Sequence, residues 1–358
     1  LVRATTRLKE GWPLATMPQT LGGVTVGVDT HGKIHVGAVA DPLGRILGTI
    51  EVTTDERGFR QLENYAKGFG TIERFGVEGT GAYGATLCRW LTNRGHEVLE
   101  VDRPDRKMRR LQGKSDPIDA CAAAQAVLSG RASGVPKARD GAVEAIRVLR
   151  MARGSAVRGR TQTMNQMHAL VTSAVDPLRM QLRSCSPAKL VDRCVGMRPG
   201  KLDSPAAATK FALRELARRH RVLDEEVERF DEELSRLVAK RAPRLVALVG
   251  VGTDVAGALL LTAGDNADRL RGEASFAHLC GVSPIPASSG RIHRHRLNRG
   301  GDRSANQALW RIVMVRMSWD ERTRAYAARR TSEGLSKREI IRCLKRYVAR
   351  EVYEVLVA

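Results

Sequence analysis

Two carboxylates three residues apart open a predicted helix in the stretch of residues 113–120. Pro117 fits the first helical position, and Ser115 or Asp116 can cap the helix. Positions i and i+3 share a helix face, so Asp116 and Asp119 can reach one ligand. Taken alone, the two acids are better explained as helix-capping residues, because acids in the first turn suit the helix dipole.

Two further acids stand at the ends of predicted strands. The β-branched run 24–29 ends in Asp29, and the strand 71–77 is followed by Glu78 and a Gly-Thr-Gly turn. Each acid alone is explained as a turn or surface residue, but four in this order favour chemistry. Clustered carboxylates repel one another, so such a cluster makes sense around cations. Mg²⁺ (or Mn²⁺) prefers such oxygen ligands, and two ions about 4 Å apart clamp both oxygens of an in-line phosphoryl displacement.

The elements that must position these acids follow a recognisable order. Alternation and helical periodicity predict three strands, a helix, a strand, a helix, a strand and a last helix. The predicted ranges are strands 24–29, 34–40 and 46–53, helix 55–68, strand 71–77, helix 83–94, strand 96–101 and the helix from 117. This is the order of the ribonuclease H-like fold, in which the first and fourth strands end side by side.

The second half of the chain is predicted to be helical. Residues 130–141 indicate a linker, 141–174 a long basic helix, and about 305–330 and 336–356 two closing helices. A heptad seam predicts a further helix that ends at Pro243. It packs either on its own domain, perhaps against 141–174, or against a second copy of the chain. The seam consists of Leu213, Leu216, His220, Leu223, Val227, Phe230, Leu234 and Leu237.

Two loops of the second half are candidate phosphate sites. Gly250-Val251-Gly252 resembles the turn of a helix-hairpin-helix, whose backbone N–H groups can hold a DNA phosphate. Ser289 lies in a Gly/Pro-rich loop followed by Arg and His residues. A serine hydroxyl attacks phosphorus only when its proton is removed or the charge is stabilised. Without such help, Ser288-Ser289-Gly290 is an ordinary turn.

Composition narrows the class of protein. The 358 residues carry 60 Lys and Arg against 39 Asp and Glu, a formal charge of +21. That charge favours a nucleic-acid partner, although a generally basic proteome would also produce it. No apolar run approaches the ~20 residues of a membrane span, and no signal peptide is visible. The six scattered Cys form no metal or disulfide pattern, and we expect buried thiols in a reducing cytoplasm.

With these residues in place, the chain resembles the DEDD transposases of the insertion-sequence 110 family, related to the Piv DNA invertases. The matching segments run in order over roughly residues 24–356, and residues 113–120 are the most specific of the N-terminal set. The segments are 27–31, 77–84, 103–106, 113–120, 250–252, 277–284, 288–290, 298–302 and 344–351. One departure is Gly32, which separates His31 from Lys33 where many relatives have the two residues adjacent.

The resemblance implies a fold and a mechanism. It implies an N-terminal RuvC-like domain in which Asp29, Glu78, Asp116 and Asp119 bind Mg²⁺. It also implies a nucleophilic Ser289, with Ser288 as the alternative, and strand exchange through a covalent phosphoserine. Two further groups are expected to hold nucleic acid. Gly250 and Gly252 would hold a phosphate through backbone N–H groups. Basic side chains would hold the backbone by their charge, namely Arg106, Lys107, Arg109, Arg110, Lys114, Arg291, Arg294 and Arg296.

The expected organisation comprises four segments. A basic arm (1–22) precedes the RuvC-like DEDD domain (23–130), a linker and coiled-coil region (131–242), and a mostly α C-terminal transposase domain (243–358). The resemblance implies donor and target DNA, a non-coding bridge RNA and further copies in a homodimer or homotetramer as partners, and we expect the protein in the bacterial cytoplasm near the nucleoid. The alternatives are a hydrolytic nuclease or junction resolvase of the same fold, and a non-enzymatic nucleic-acid-binding protein.

Overall fold

The computed structural model describes residues 22–102, 115–289 and 294–357. The chain divides into two compact units, Leu1–Lys137 (unit 1) and Ala138–Ala358 (unit 2). The predicted arm, apart from Gly22, and residues 103–114, which carry five of the predicted nucleic-acid contacts, lie outside the described residues. The predicted segment boundaries at residues 22, 130 and 242 stay predictions.

Unit 1 is built on a mixed five-stranded sheet of order β3-β2-β1-β4-β5. The first three strands form an antiparallel meander, and β4 and β5 run parallel to β1. The elements are β1 (Val24–Thr30), β2 (Ile34–Ala40), β3 (Ile46–Thr53), α1 (Glu56–Lys67), β4 (Ile72–Glu78), α2 (Ala85–Asn93), β5 (Glu97–Val101) and α3 (Asp116–Leu128). The predicted α/β character and element order are confirmed.

The alternation of side chains along β1 explains how helices cover both faces of this sheet. Val24, Val26 and Val28 are fully buried in a core with Phe59 of α1 and Leu87 of α2. The intervening residues face α3, whose Ala120 packs with Val36 and Ala38 of β2. Asp29 belongs to this second set, so the strand pattern itself directs its carboxylate towards α3.

The described part of unit 2 is helical apart from one short hairpin. Its described elements are α4 (Ala142–Ser173), α5 (Leu178–Leu182), α6 (Pro187–Val195), α7 (Pro205–Arg241), α8 (Pro243–Val246), α9 (Thr253–Ala263), α10 (Glu273–Leu279), β6 (Ile285–Pro286), β7 (His295–Arg296), α11 (Arg303–Trp319), α12 (Glu321–Ser332) and α13 (Lys337–Val357). A 3-10 turn at Ala267–Arg269 separates α9 from α10. The predicted helical character of this half is confirmed.

The heptad seam of α7 packs against α4 of the same unit. Ile146 of α4 shares a core with Leu234, and Met167, nearer the end of α4, shares one with Leu213. The two helices are therefore antiparallel. Within the chain, the seam therefore contacts the helix predicted at 141–174, and packing against a second copy stays a prediction.

One predicted helix is wrong in its extent. A single helix is predicted over about 305–330, but α11 ends at Trp319 and α12 starts at Glu321. Asp320 between them has an extended backbone, and its carboxylate accepts hydrogen bonds from Thr323 N (2.8 Å) and Thr323 Oγ1 (2.5 Å). This local cap satisfies the start of a new helix and outweighs continued helical periodicity.

Cysteine burial agrees only in part with the expectation of buried thiols, and the described helices can be compared with the length and composition of a membrane span. The six cysteines are free, and Cys88, Cys194 and Cys280 are buried. The other three are half-buried, so the expectation of uniformly buried thiols was wrong. Within the described part of the chain, none of the helices has both the length and the apolar composition needed to cross a bilayer.

Candidate functional site

The candidate site of unit 1 starts at the ends of two neighbouring parallel strands. β1 and β4 pair in register, with Val28 opposite Val77 as the last pair. Asp29 and Glu78 are the next residues, so they stand side by side at one edge of the sheet. Alternation directs both towards the face covered by α3.

Two glycines let α3 lie directly on these strands. A Cβ on Gly27 would stand 2.2 Å from the carbonyl oxygen of Ala120 and 2.2 Å from the amide nitrogen of Ala124. A Cβ on Gly76 would stand 2.4 Å from a Val127 methyl group. Since backbone atoms of α3 occupy this space, only glycine at position 27 permits so close an approach. The approach brings the first turn of α3, with Asp116 and Asp119, to the strand ends.

Three side chains meet where the helix start reaches the strand end. His31 Nε2 lies 3.1 Å from Asp29 Oδ2 and 3.3 Å from Asp116 Oδ1. One ligand atom from each of the three residues can be chosen so that all lie within 4.8 Å of one another. Asp29 is 6% exposed, whereas His31 and Asp116 are half-buried. We call Asp29, His31 and Asp116 the Asp29 cluster.

The electrostatics of the Asp29 cluster favour a cation. Burial raises the pKa of the Asp29 carboxyl, the adjacent His31 lowers it, and the charges of Asp119 and Asp116 raise it again. The excess of carboxylates over bases therefore opposes ionisation of a buried acid. A divalent cation would remove that opposition. Carboxylate oxygens suit both Mg²⁺ and Mn²⁺, and Mn²⁺, as a transition-metal ion, accepts an imidazole nitrogen more readily than Mg²⁺ does. The residues present thus fit a divalent metal ion.

Asp119 and Glu78, the other two predicted acids, border the Asp29 cluster. Asp119 is buried in the first turn of α3, close enough to act on the pKa of Asp29. Glu78 ends β4 with a buried Oε2 atom, and its carbonyl oxygen accepts a hydrogen bond from Thr30 Oγ1 at 2.8 Å. Among the described residues, neither acid belongs to the group that lies within 4.8 Å.

Sequence reasoning did not single out His31 as a candidate site residue. In the structure its backbone N–H closes a turn by donating to Ile34 O at 3.2 Å. The available signal was its spacing: residues i and i+2 of an extended chain share a face, so Asp29-Thr30-His31 places the imidazole beside the carboxylate. Its contact with Asp116 depends on the tertiary packing of α3.

The predicted nucleophile lies on a short hairpin of unit 2. We call the described residues 285–289 and 294–296 the serine hairpin. Ile285 pairs with Arg296 and Pro286 with His295. Ser288 Oγ accepts a hydrogen bond from Arg294 N at 3.1 Å. Ser289 is exposed, and its hydroxyl makes no hydrogen bond with the described residues.

The predicted basic contacts are distributed unevenly. Arg294 and Arg296 are exposed on the serine hairpin and form no ion pair with described residues. Arg106, Lys107, Arg109, Arg110, Lys114 and Arg291 lie outside the described residues.

The Gly250–Gly252 turn connects a single helical turn, α8, to α9. Gly250 adopts φ +83°, and a Cβ there would be 3.2 Å from Ile312 O. Position 250 therefore favours glycine both for its backbone conformation and for the close approach of α11. Gly252 is exposed as the N-cap residue of α9. The N–H groups at this helix start are the ones expected to meet a phosphate.

Comparison with known proteins assigns the chain to a family. A family model for DEDD transposases of IS110 elements, described as a transposase, matches residues 26–175. A second model, described as a transposase of the IS116/IS110/IS902 family, matches residues 242–328. The chain is also similar to an uncharacterised 43.6 kDa protein of insertion element IS110 from Streptomyces coelicolor.

That similarity is partial in length. The two chains are 33% identical over 94 residues, which is 26% of this chain and 23% of the relative. The two family models together match parts of both units, with residues 26–175 running from unit 1 into unit 2 and residues 242–328 lying in unit 2. Together they define the class as a transposase. The chain belongs to the IS110 family of transposases.

Proposed function

We propose that this chain cleaves and rejoins DNA strands during movement of an insertion sequence, using a divalent-metal centre in unit 1 and a serine nucleophile in unit 2. The observation that carries the proposal is the Asp29 cluster, in which strand-end and helix-start residues gather around a buried carboxylate. Its position at the end of the first strand of a mixed sheet supports a RuvC-like assignment for unit 1.

The metal ligands proposed are Asp29, Glu78, Asp116 and Asp119, with His31 as an additional nitrogen donor. Two Mg²⁺ or Mn²⁺ ions held there would polarise the scissile phosphate and stabilise charge on the attacking and leaving oxygens. The chain's own contribution is to fix the donors. Asp29 is held by β1, and Asp116 and Asp119 are held by the close packing of α3 on Gly27.

Ser289 is the proposed nucleophile. Its hydroxyl is exposed and makes no hydrogen bond with the described residues, whereas the Ser288 hydroxyl already accepts a hydrogen bond from the hairpin backbone. In the proposed step the Ser289 Oγ–P bond forms as one P–O bond of the DNA strand breaks. The hydroxyl proton is released, and the freed strand oxygen takes up a proton as it leaves. Attack by another strand's hydroxyl on the phosphoserine then restores a P–O bond and frees Ser289.

The proposed partners are donor DNA, target DNA and a non-coding bridge RNA. The formal charge of +21 supports binding to phosphate backbones, which leaves the choice of sequence to base pairing with the RNA. Assembly as a homodimer or homotetramer is part of the same proposal. The contact of α7 with α4 uses the seam inside one chain, so a further copy would dock elsewhere or on the seam's half-buried edge.

The experiment that tests this function is adduct trapping. The protein is incubated with its element-end DNA, its flanking non-coding RNA and Mg²⁺, and an SDS-resistant protein–DNA adduct is sought. We expect the adduct in wild type and in Ser288→Ala, and its loss in Ser289→Ala and Asp119→Asn. Ser288→Ala is the matched control, because it removes the neighbouring hydroxyl from the same hairpin.

Two outcomes would contradict the proposal in different ways. Cleavage with free ends that survives Ser289→Ala would indicate a hydrolytic nuclease or junction resolvase of the same fold, with water as the nucleophile. Nucleic-acid binding without Mg²⁺-dependent cleavage, in a sample that forms its RNA complex, would indicate a non-enzymatic binding protein.

A further inference from the structure

Arginines of unit 2 fall into two groups that differ in their partners. Along α4, Arg150 is paired with Asp254 at 2.6 Å and Arg153 with Asp231 at 2.5 Å. These arginines hold the helices of unit 2 together. Arg299 and Arg303 are exposed and form no ion pair with the described residues. Their charges remain available to a ligand.

Arg299 and Arg303 both line the same cavity, which has a volume of about 430 Å³. Gln307 and Trp310 of α11 also line it, together with Gly281 and Gly301. Arg303, Gln307 and Trp310 are spaced by four and three residues, so they occupy one face of α11. The volume lies in the range of pockets that hold small ligands. We call this cavity the Trp310 pocket.

The floor of the Trp310 pocket is fixed by contacts that are independent of a ligand. A Cβ on Gly301 would stand 2.3 Å from Gly281 N, so the two backbones touch. Asn306 Nδ2 donates to Cys280 O at 2.9 Å and to Gly281 O at 3.1 Å. Lys345 Nζ in turn donates to Asn306 Oδ1 at 2.9 Å. The pocket is therefore preformed, which lowers the entropic cost of binding.

The wall of the pocket offers an unused aromatic face. The Trp310 residue is 44% exposed, and its ring makes no stacking contact with another described aromatic ring. Nucleic-acid bases stack on such rings, and the interaction tolerates any base because every base has a π-face. Gln307 beside it carries an amide that can donate to and accept from the edge of a base.

The pocket adjoins the serine hairpin. Arg299 also lines a neighbouring cavity of about 460 Å³, whose other walls include Ile285 and Arg296 of the two hairpin strands. A nucleotide bound in the Trp310 pocket would therefore lie one cavity away from the hairpin that carries Ser289. This places a base-binding site where the strand next to the scissile phosphate must be held.

We propose that the Trp310 pocket binds one unpaired nucleotide of a nucleic-acid strand, with the base stacked on Trp310 and its phosphate held by Arg299 and Arg303. This inference rests on the proposed function and deepens it, because it assigns a strand-holding role to residues outside the metal centre and the serine. Holding an unpaired base selects single-stranded or locally opened substrate over intact duplex.

The test is equilibrium binding of labelled oligonucleotides to the full-length protein, measured by fluorescence anisotropy. The probes are a short oligothymidylate, the corresponding oligouridylate and a duplex of the same length. Trp310→Ala should weaken binding of the single strands by about tenfold, with little change in salt dependence and in duplex binding. Arg299→Ala should lower the slope of log affinity against log salt by about one. Comparing the two single strands shows whether the site takes DNA, RNA or both.

Trp319→Ala is the matched control, because Trp319 lies on the same helix, is 82% exposed and does not line the pocket. It should leave single-strand affinity unchanged, and Trp310→Phe should retain most of it. Equal losses in Trp310→Ala and Trp319→Ala, or no loss in either, would overturn the proposal.

The binding readout separates this inference from the function on which it rests. Adduct formation with an indifferent Trp310→Ala would refute the pocket and leave the serine chemistry standing. Loss of single-strand affinity in Trp310→Ala, in a protein that forms no adduct, would support the pocket and refute the serine chemistry.

Discussion

Two buried carboxylates of unit 1, Glu63 and Asp29, have opposite surroundings. Glu63 of α1 is 3% exposed and receives hydrogen bonds from Lys67 Nζ at 2.8 Å and Arg94 Nε at 3.1 Å, with His96 Nε2 at 2.9 Å. Burial alone would raise the pKa of Glu63, but the hydrogen bonds from Lys67, His96 and Arg94 outweigh it and lower the pKa to about 2.

Asp29 is buried to a similar degree, but its neighbours are mostly acids. Within the described residues, His31 is its only ion-pair partner, and that imidazole is shared with Asp116. Burial and the charges of Asp119 and Asp116 raise the pKa of Asp29 despite His31. The chain thus supplies counter-charge to Glu63, whose role is to join α1 to α2 and β5. It leaves Asp29 short of counter-charge, as a metal site requires.

The largest expected effect comes from removing a carboxylate at or beside Asp29. Asp29→Asn or Asp119→Asn should lower strand cleavage by roughly 10³-fold, because a lost metal ligand costs several kcal/mol of transition-state stabilisation. Without metal, the thermal unfolding midpoint of either variant should equal or exceed that of wild type, because the substitution removes a buried carboxylate that neighbouring carboxylates repel. Cleavage rates and thermal unfolding measure the two effects.

Glu97→Gln is the control for those variants. Glu97 lies at the opposite end of the sheet, exposed and paired with Arg74 at 3.0 Å. It should keep full cleavage activity. Comparable activity losses in Glu97→Gln and Asp119→Asn would show that the Asp29 cluster has no special role.

A second variant separates the metal ligands from the packing that positions them. Gly27→Ala would place a Cβ 2.2 Å from backbone atoms of α3, so the helix must move. We expect a loss of about 3 kcal/mol in unfolding free energy and a fall in cleavage. Gly134→Ala, whose Cβ would meet nothing nearer than 3.8 Å, should be neutral. Wild-type stability in Gly27→Ala, measured by denaturant unfolding, would contradict the close approach of α3.

Substituting Glu63 is expected to change the stability of the protein and not its cleavage activity. Glu63→Gln should cost about 2 kcal/mol, because Lys67, Arg94 and His96 lose their shared carboxylate. The pKa of Glu63 is about 2 when folded against 4.5 for the free side chain, so its contribution is complete above 4.5 and is lost as the pH falls towards 2. The measurement is unfolding of wild type and Glu63→Gln across this pH range, where the difference in stability should shrink as the pH falls. Unchanged cleavage per folded molecule in Glu63→Gln would support a structural role for Glu63, in contrast to Asp29.

The smallest expected effect is that of His31. His31→Ala should weaken metal binding by about tenfold, because it removes one neutral donor and leaves every carboxylate. The loss should be greater for Mn²⁺ than for Mg²⁺, since imidazole is a better ligand for the former. If His31→Ala binds each ion with the same affinity as wild type, His31 has only a structural role.

The placement of the acids could be predicted because it follows from local pattern. Alternating β-branched residues ended two strands at Asp29 and Glu78, and Pro117 marked the start of α3. The participation of His31 could not be predicted with the same certainty, because its contact with Asp116 arises only when α3 packs on Gly27. The seam of α7 likewise specified a buried face without specifying α4 as its partner.

The missed features share a dependence on non-local contacts or on competing local ones. The helix break at Asp320 arises because a capping carboxylate competes with helical periodicity. The Trp310 pocket depends on the contact of Gly281 with Gly301 and on a hydrogen bond from Lys345, far along the chain. The basic residues predicted at 106–114 and at 291 lie outside the described residues, so their role stays a prediction.

The most direct measurement is a calorimetric titration of Mn²⁺ into wild type, Asp29→Asn and Glu63→Gln. We expect saturable binding to wild type, the same affinity in Glu63→Gln, and an affinity at least tenfold weaker in Asp29→Asn. Equal binding to wild type and Asp29→Asn would contradict the central claim that the Asp29 cluster is a metal centre.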